Sequence, residues 1–144
     1  MLEPSSDTFH IRLVNHFDAI ETFRAGAHAF LLERGVYEEA LLNLDFCFEE
    51  IFTNIVKYSF PEDEQHWIDA AVSGNQHGMI LRIEDDGVPF APQDAPPPDF
   101  SIPIEERPIG GLGLFLVRSM ASRLEYESTS GRNRLTVYLT CETE

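Results

Sequence analysis

Alternation of apolar and polar residues predicts five strands. It is clearest over residues 8–14, where Phe9, Ile11 and Leu13 fall on one side of an extended chain. The same alternation, interrupted by turn residues, predicts two hairpins. Their strands are residues 67–72 and 79–84, joined through 75–78, and residues 124–129 and 134–140, joined through 130–133.

Apolar residues spaced three and four apart predict three helices, over residues 18–33, 38–58 and 112–124. We expect Asp18 to cap the first helix and Gly35 to end it. The second helix should stop before Pro61, because the residue preceding a proline avoids the helical region.

The order of these elements predicts the fold class. A strand, two helices, a hairpin, a helix and a second hairpin make an α/β (α+β) two-layer sandwich, in which three helices cover one face of a mostly antiparallel sheet. With 144 residues the chain is long enough to bury a core, and we expect one domain over residues 1–144.

Residues 91–109 differ in character from the rest of the chain. Six of the nine prolines fall there, with acidic residues between them. Such a segment forms neither an ordinary helix nor an interior strand, and loops of this length in a compact domain are often lids or binding loops. We interpret it as a lid; the simpler alternative is a surface excursion.

Composition narrows the possible partners. The chain carries 25 acidic and 10 basic residues, a net charge of −15. Such a charge repels nucleic acid and anionic membranes, so a bound phosphate would need local backbone N–H groups, a metal ion or a few bases. No apolar run is long enough to span a bilayer and no signal-peptide pattern opens the chain, so we expect a cytoplasmic protein.

Two polar residues interrupt an otherwise apolar face of the second predicted helix. Glu50 and Asn54 are four residues apart, so both side chains project from one face. Polar groups near a core need partners. A carboxylate with an amide oxygen one turn away suits a divalent cation and a water or hydroxyl.

Two glycine-containing segments follow this pair. In the first, residues 85–90, Asp85 leaves a predicted buried strand and could accept a hydrogen bond from a ligand, while Gly87 permits close backbone approach. In the second, residues 110–114, glycines open a helix whose N–H groups can meet a phosphate. No Gly-Lys-Ser/Thr follows, so the second segment is not a Walker A loop. Each segment alone could equally be an ordinary turn.

Together and in this order, the three segments resemble the N, G1 and G2 boxes of the histidine-kinase-like ATP-binding fold, the GHKL or Bergerat superfamily. The resemblance covers residues 9–140. The sequences Glu-Ile-Phe-Thr-Asn, Asp-Asp-Gly-Val-Pro-Phe and Gly-Gly-Leu-Gly-Leu are most similar to those of the anti-sigma factor serine-protein kinases. The last predicted strand departs from the family, with Arg134-Leu135-Thr136 where other members show Gly-Thr-Thr.

The resemblance implies roles for individual residues. Asn54 would bind the Mg²⁺ that bridges the phosphates of ATP, and Glu50 would act as general base. Asp85 would contact the adenine amino group, with Gly87 allowing the base to approach. The other nucleotide-binding residues that it implies are Gly111, Gly113 and Leu114 beside the phosphates, Thr136 near the adenine and Lys57 as a nearby cation.

Three functional hypotheses remain open from the sequence. The first is a kinase that uses ATP to phosphorylate a serine or threonine of a small antagonist protein, as part of the regulation of a sigma factor. The second is a nucleotide-dependent module that sequesters a sigma factor or another signalling partner with little turnover. In the third, the glycine segments are turns and the Glu50–Asn54 pair is helix surface. The family resemblance also implies a homodimer.

Overall fold

The computed structural model describes residues 7–60, 64–89 and 111–141, and for residues 111 and 112 only the backbone. The predicted lid at residues 91–109 therefore lies outside the described residues. The elements in chain order are β1 (Phe9–Val14), α1 (Ala19–Glu33), α2 (Glu38–Asn54), a π-helical turn (Ile55–Ser59), β2 (Trp67–Asn75), β3 (Gly78–Asp85), α3 (Gly111–Met120), β4 (Arg123–Thr129) and β5 (Arg132–Thr140).

The five strands form one sheet in the order β1-β2-β3-β5-β4, and every neighbouring pair is antiparallel. The three α-helices of the described residues lie on one face of the sheet, which confirms the predicted two-layer α+β sandwich. None of these helices is long and apolar enough to cross a bilayer.

The core lies between the helices and the sheet face that they cover. Alternate residues of each strand face the helices. One row of such residues across the sheet is Val72, Leu81 and Val137, and all three are buried. From the helix side, the rings of Phe23 and Phe48 stack with centroids 3.8 Å apart. Burial of each such side chain contributes about 1.5–3 kcal/mol, so this contact anchors α2, the helix that carries Glu50 and Asn54.

The start of α1 differs from the prediction. Asp18 itself has helical dihedral angles, and its side chain makes no capping hydrogen bond. A tight turn satisfies the first free N–H groups instead, because Ala19 and Ile20 donate to the carbonyls of His16 and Phe17. The end of the helix is as predicted, with Gly35 at φ 89°.

The second helix changes its winding just after Asn54. The five residues Ile55–Ser59 form a π-helical turn, and Phe60 is then extended. This wider turn leaves the Ser59 carbonyl free to accept a hydrogen bond from Val88 N at 2.7 Å. The end of the α2 segment is thereby joined to the residues that follow β3.

The last helix and hairpin correct two predicted boundaries. The helix α3 ends at Met120 rather than at residue 124, because Ser122 already donates to Tyr138 O in the sheet at 2.8 Å. The final hairpin turns through only two residues with positive φ, Ser130 and Gly131. Such a two-residue turn matches the twist of paired strands, so β5 begins at residue 132, two positions earlier than predicted.

Candidate functional site

A pocket lies where the end of α2, the end of β3, the start of β5 and the start of α3 meet. Its walls are mainly apolar, with four buried polar side chains among them. The lining residues are Ile51, Asn54, Ile55, Ser59, Ile83, Asp85, Val88, Leu114, Tyr126, Asn133 and Leu135. A concave apolar site with a few converging polar groups is typical of a small-molecule site.

At one end of the pocket, Asp85 is the last residue of β3 and only 4% exposed. One of its carboxylate oxygens, Oδ1, accepts hydrogen bonds from Gly87 N at 2.8 Å and from Asn133 Nδ2 at 3.0 Å. Burial raises the pKa of Asp85, and the two hydrogen bonds oppose that increase. The second oxygen, Oδ2, has no donor among the described residues and can accept a hydrogen bond from a ligand.

The turn after β3 packs directly against the end of the π-helical turn. A side chain at Gly87 would overlap the Ser59 carbonyl oxygen and lie 2.7 Å from Ser59 Cβ. The atoms in the way are mostly backbone, which cannot rotate aside. Glycine is therefore required at this position, and the turn holds the Asp85 carboxylate in place.

Beside the other end of the pocket, next to the lining residue Leu114, the half-buried Glu50 side chain lies against Gly113 in the first turn of α3. A Cβ at Gly113 would overlap Glu50 Oε1 and lie 2.5 Å from its Cδ. The positive end of a helix dipole and its free N–H groups are found in such a first turn. Burial raises the pKa of Glu50, the neighbouring Glu49 charge adds to the increase, and Lys57 opposes it.

Asn54 lines the pocket one helical turn after Glu50 and is 6% exposed. Its Nδ2 donates to the Glu50 backbone carbonyl at 2.7 Å, which fixes the orientation of the amide. The amide oxygen has no donor among the described residues, so it is available as a ligand to a hard cation. No group of three His, Cys, Asp or Glu suited to a metal occurs in the described part of the chain. This arrangement fits Mg²⁺, which usually binds to one or two protein oxygens together with phosphates and water.

Of the remaining predicted residues, some line the pocket and others lie near it. Leu114 is buried and lines the pocket, and Gly111 begins α3. Lys57 is exposed on the π-helical turn, near enough for its charge to act on Glu50.

Thr136 is not brought to the pocket. It is buried, but on the opposite face of β5 from Leu135, and its hydroxyl accepts a long hydrogen bond from Arg82 Nε at 3.4 Å. Because neighbouring strand residues face opposite sides, Leu135 reaches the pocket and Thr136 does not.

Asn133 lies in the site although the sequence pattern predicts it in a turn. The structure places it in β5 directly opposite Asp85, 4% exposed and with a hydrogen bond to that carboxylate. The signal that could have identified it is the Ser130-Gly131 pair, which suits a two-residue hairpin turn and would have placed Asn133 within the strand.

Comparison with known proteins agrees with this architecture. Over 94 residues, 65% of the chain, the sequence is 29% identical to the serine/threonine-protein kinase BtrW of Bordetella bronchiseptica, and the match covers 66% of that protein. The fold is similar to a structure of the RsbU and RsbW domains of Rv1364c from Mycobacterium tuberculosis, with a TM-score of 0.60 and 18% identity, covering 92% of the chain but 32% of the larger protein. The model of the histidine kinase-like ATPase domain matches residues 14–139. The chain therefore belongs to the family of histidine kinase-like ATPase domains.

Proposed function

We propose that this protein binds ATP with Mg²⁺ and is a serine/threonine protein kinase that phosphorylates a small antagonist protein, thereby acting as an anti-sigma regulatory factor. The main support is that one pocket is lined by a buried hydrogen-bond acceptor, Asp85, and by Asn54, and that Glu50 lies one helical turn before Asn54, against the start of α3. The similarity to a relative named as a serine/threonine-protein kinase supports serine or threonine as the residue that receives the phosphoryl group.

The Asp85 end of the pocket suits a purine. The 6-amino group of adenine is a hydrogen-bond donor. Asp85 Oδ2 is an acceptor to which no group of the described residues donates a hydrogen bond. The side chains of Ile83, Val88 and Leu135 supply apolar walls for the ring. Burial of a flat apolar ring with one directed hydrogen bond would give both affinity and orientation.

The α3 end suits the phosphates. Backbone N–H groups at Gly111 and Gly113 and the positive end of the helix dipole favour an anion there, and Lys57 adds a cation nearby. Mg²⁺, held by the Asn54 amide oxygen, would neutralise phosphate charge in this strongly acidic chain.

Glu50 is proposed as the general base. In the reaction its carboxylate takes the proton of a serine or threonine hydroxyl, the hydroxyl oxygen bonds to the γ-phosphorus and ADP leaves. Burial raises the pKa of Glu50, which makes it a stronger base than a free glutamate. A base whose pKa lies closer to the working pH is more effective.

We also propose how the protein meets its partners. It would act in the cytoplasm as a homodimer and bind a sigma factor and an antagonist protein. The charge of −15 makes nucleic acid and anionic membranes unfavourable direct partners.

Phosphate transfer from labelled ATP to candidate antagonist proteins tests the proposal, with Glu50→Gln as the critical variant. We expect this variant to bind Mg·ATP but to lose transfer by about 100-fold or more. Glu39→Gln is the matched control, because it makes the same chemical change at an exposed position of the same helix.

Thermal unfolding with and without Mg·ATP completes the test. At 100 times its Kd, a ligand bound only by the native state stabilises it by about 2.7 kcal/mol. Stabilisation without transfer to any candidate would favour the nucleotide-dependent binding module. No stabilisation at saturating ATP would refute nucleotide binding itself.

A further inference from the structure

Three neighbouring strands bring a line of polar side chains to the rim of the pocket. Asn133 on β5 lies opposite Asp85 on β3 and opposite Ser128 on β4. Asn133 is 4% exposed, so every hydrogen bond that its amide makes is nearly shielded from water. Burial of an amide in this position has a cost unless its donors and acceptor are used.

The hydrogen bonds of Asn133 determine which way its amide faces. Its Oδ1 accepts from Ser128 Oγ at 2.7 Å and from the Tyr126 hydroxyl at 3.4 Å. Its Nδ2 donates to Asp85 Oδ1 at 3.0 Å and to Gly87 O at 2.8 Å. A flipped amide would place its oxygen against two acceptors, so only the observed orientation satisfies all four groups.

This orientation imposes a hydrogen-bonding character on Asp85. Oδ1 receives an N–H from Asn133 and another from Gly87, and both contacts are favourable only if that oxygen is an acceptor. The two N–H donors on Oδ1 stabilise the ionised carboxylate, in which Oδ2, on a residue that lines the pocket, is also an acceptor. An acceptor selects a ligand that presents an N–H and repels one that presents a carbonyl oxygen at the same place.

We propose that Asn133 is the positioning residue that fixes Asp85 as an acceptor and thereby sets the preference of the pocket for a 6-aminopurine over a 6-oxopurine. Adenine presents a donor at this position and guanine presents an acceptor. The selectivity thus depends on a series of donors that runs from Ser128 and Tyr126 through Asn133 to Asp85. This inference rests on the proposed nucleotide binding and concerns the choice of base within it.

The matching substitution is Asn133→Leu, which keeps the approximate size of the side chain but removes both N–H donors. The buried Asp85 carboxylate then keeps one donor, Gly87 N, in less polar surroundings, which favours its protonated form. A proton on Oδ2 turns that oxygen into a donor and removes the acceptor that the amino group of adenine needs. We expect the ratio of ATP to GTP affinity to fall by about tenfold or more, since a site built for an N–H loses discrimination when its acceptor is lost.

Competition of ATP and GTP, each with Mg²⁺, against a fluorescent ATP analogue measures that ratio. Ser128→Ala is a second variant at an exposed position, and it should lower the ratio by about threefold, the loss of one net hydrogen bond. Tyr138→Phe is the control, because it removes a hydrogen bond to Glu125 from the opposite face of the same strand and should leave the ratio unchanged.

The outcomes separate this inference from the proposed function. If the wild type prefers ATP and both pocket variants lower the preference while Tyr138→Phe does not, the role of Asn133 is supported. If the wild type prefers ATP and Ser128→Ala and Asn133→Leu keep the wild-type ratio, the inference is refuted although nucleotide binding stands. An Asn133→Leu protein that fails to fold leaves Ser128→Ala to decide. A wild type that binds neither nucleotide refutes the proposed function, and this inference falls with it.

Discussion

Replacement of Gly113 by alanine tests the contact between the first turn of α3 and the proposed base. The new Cβ would overlap Glu50 Oε1 and lie 2.5 Å from Cδ and 3.1 Å from Cγ, so the Glu50 side chain must rotate away. These atoms are the far end of a flexible side chain, and a displaced rotamer costs about 0.5–1.5 kcal/mol. Alanine in a helix is more stable than glycine by about 0.5–1 kcal/mol. The two effects nearly cancel, so the unfolding midpoint should stay within about 3 °C of wild type.

The same substitution should strongly reduce phosphate transfer. A displacement of a catalytic group by about 1 Å can cost about 100-fold in rate. We therefore expect Gly113→Ala to lower the initial rate of transfer by about that factor while the protein remains folded. The assay is transfer from labelled ATP to the antagonist protein at saturating nucleotide, with the melting temperature measured on the same preparation.

The same substitution in a Glu50→Ala variant shows whether Gly113→Ala acts through the Glu50 carboxylate. Without that carboxylate, a Cβ at position 113 no longer meets Oε1, Cδ or Cγ. Gly113→Ala should then leave the ATP affinity of Glu50→Ala unchanged within about threefold. A loss of ATP affinity of tenfold or more in this background would mean that Gly113 acts on the phosphates directly. Wild-type transfer by the single variant Gly113→Ala would refute the importance of the contact.

Three further predictions concern the carboxylates and the turn after β3. Because burial raises the pKa of Glu50 above 4.5, transfer should fall on acidification at a higher pH than for a free glutamate, and a rate–pH profile with its acid limb at or below that value would contradict the assignment. The pKa of Asp85 is raised above 3.8 on folding, so its contribution to stability is fully present below the unfolded value and is lost as pH rises through the folded value. Asp85→Asn should therefore gain in melting temperature relative to wild type from acidic to neutral pH while it loses ATP binding, and a pH-independent difference would exclude this cause. Gly87→Ala should destabilise the protein by about 1–3 kcal/mol in chemical denaturation, and Ser59→Gly should not rescue it because the obstructing Ser59 carbonyl remains.

The sequence was sufficient for features that depend on local periodicity. The three helices and the order of helices and strands along the chain follow from apolar spacing, and the structure confirms them. Glu50 and Asn54 could be paired because an interval of four residues fixes a common helical face. Asp85 could be singled out because it ends an apolar run just before a glycine.

Features that depend on register could not be predicted in the same way. In a strand, an error of one residue moves every side chain to the other face. The family resemblance pointed to Thr136, yet the pairing of β5 with β3 sends its neighbour Leu135 into the pocket. Asn133 was overlooked for a related reason, since the length of the last hairpin turn decides whether it lies in the turn or opposite Asp85.

The two ends of the pocket differ in how far they are organised within the protein itself. At the Asp85 end, Gly87 and Asn133 already hold the carboxylate through hydrogen bonds, so little ordering remains when a base binds. Beside the other end, the carboxylate of Glu50 is only half-buried and is placed by contact with Gly113, without a hydrogen bond to its side chain among the described residues. Small changes at the start of α3 should therefore reduce phosphate transfer while the adenine of ATP remains bound. It follows that ATP binding alone does not establish a kinase in this chain, and that transfer which depends on both Glu50 and Gly113 does.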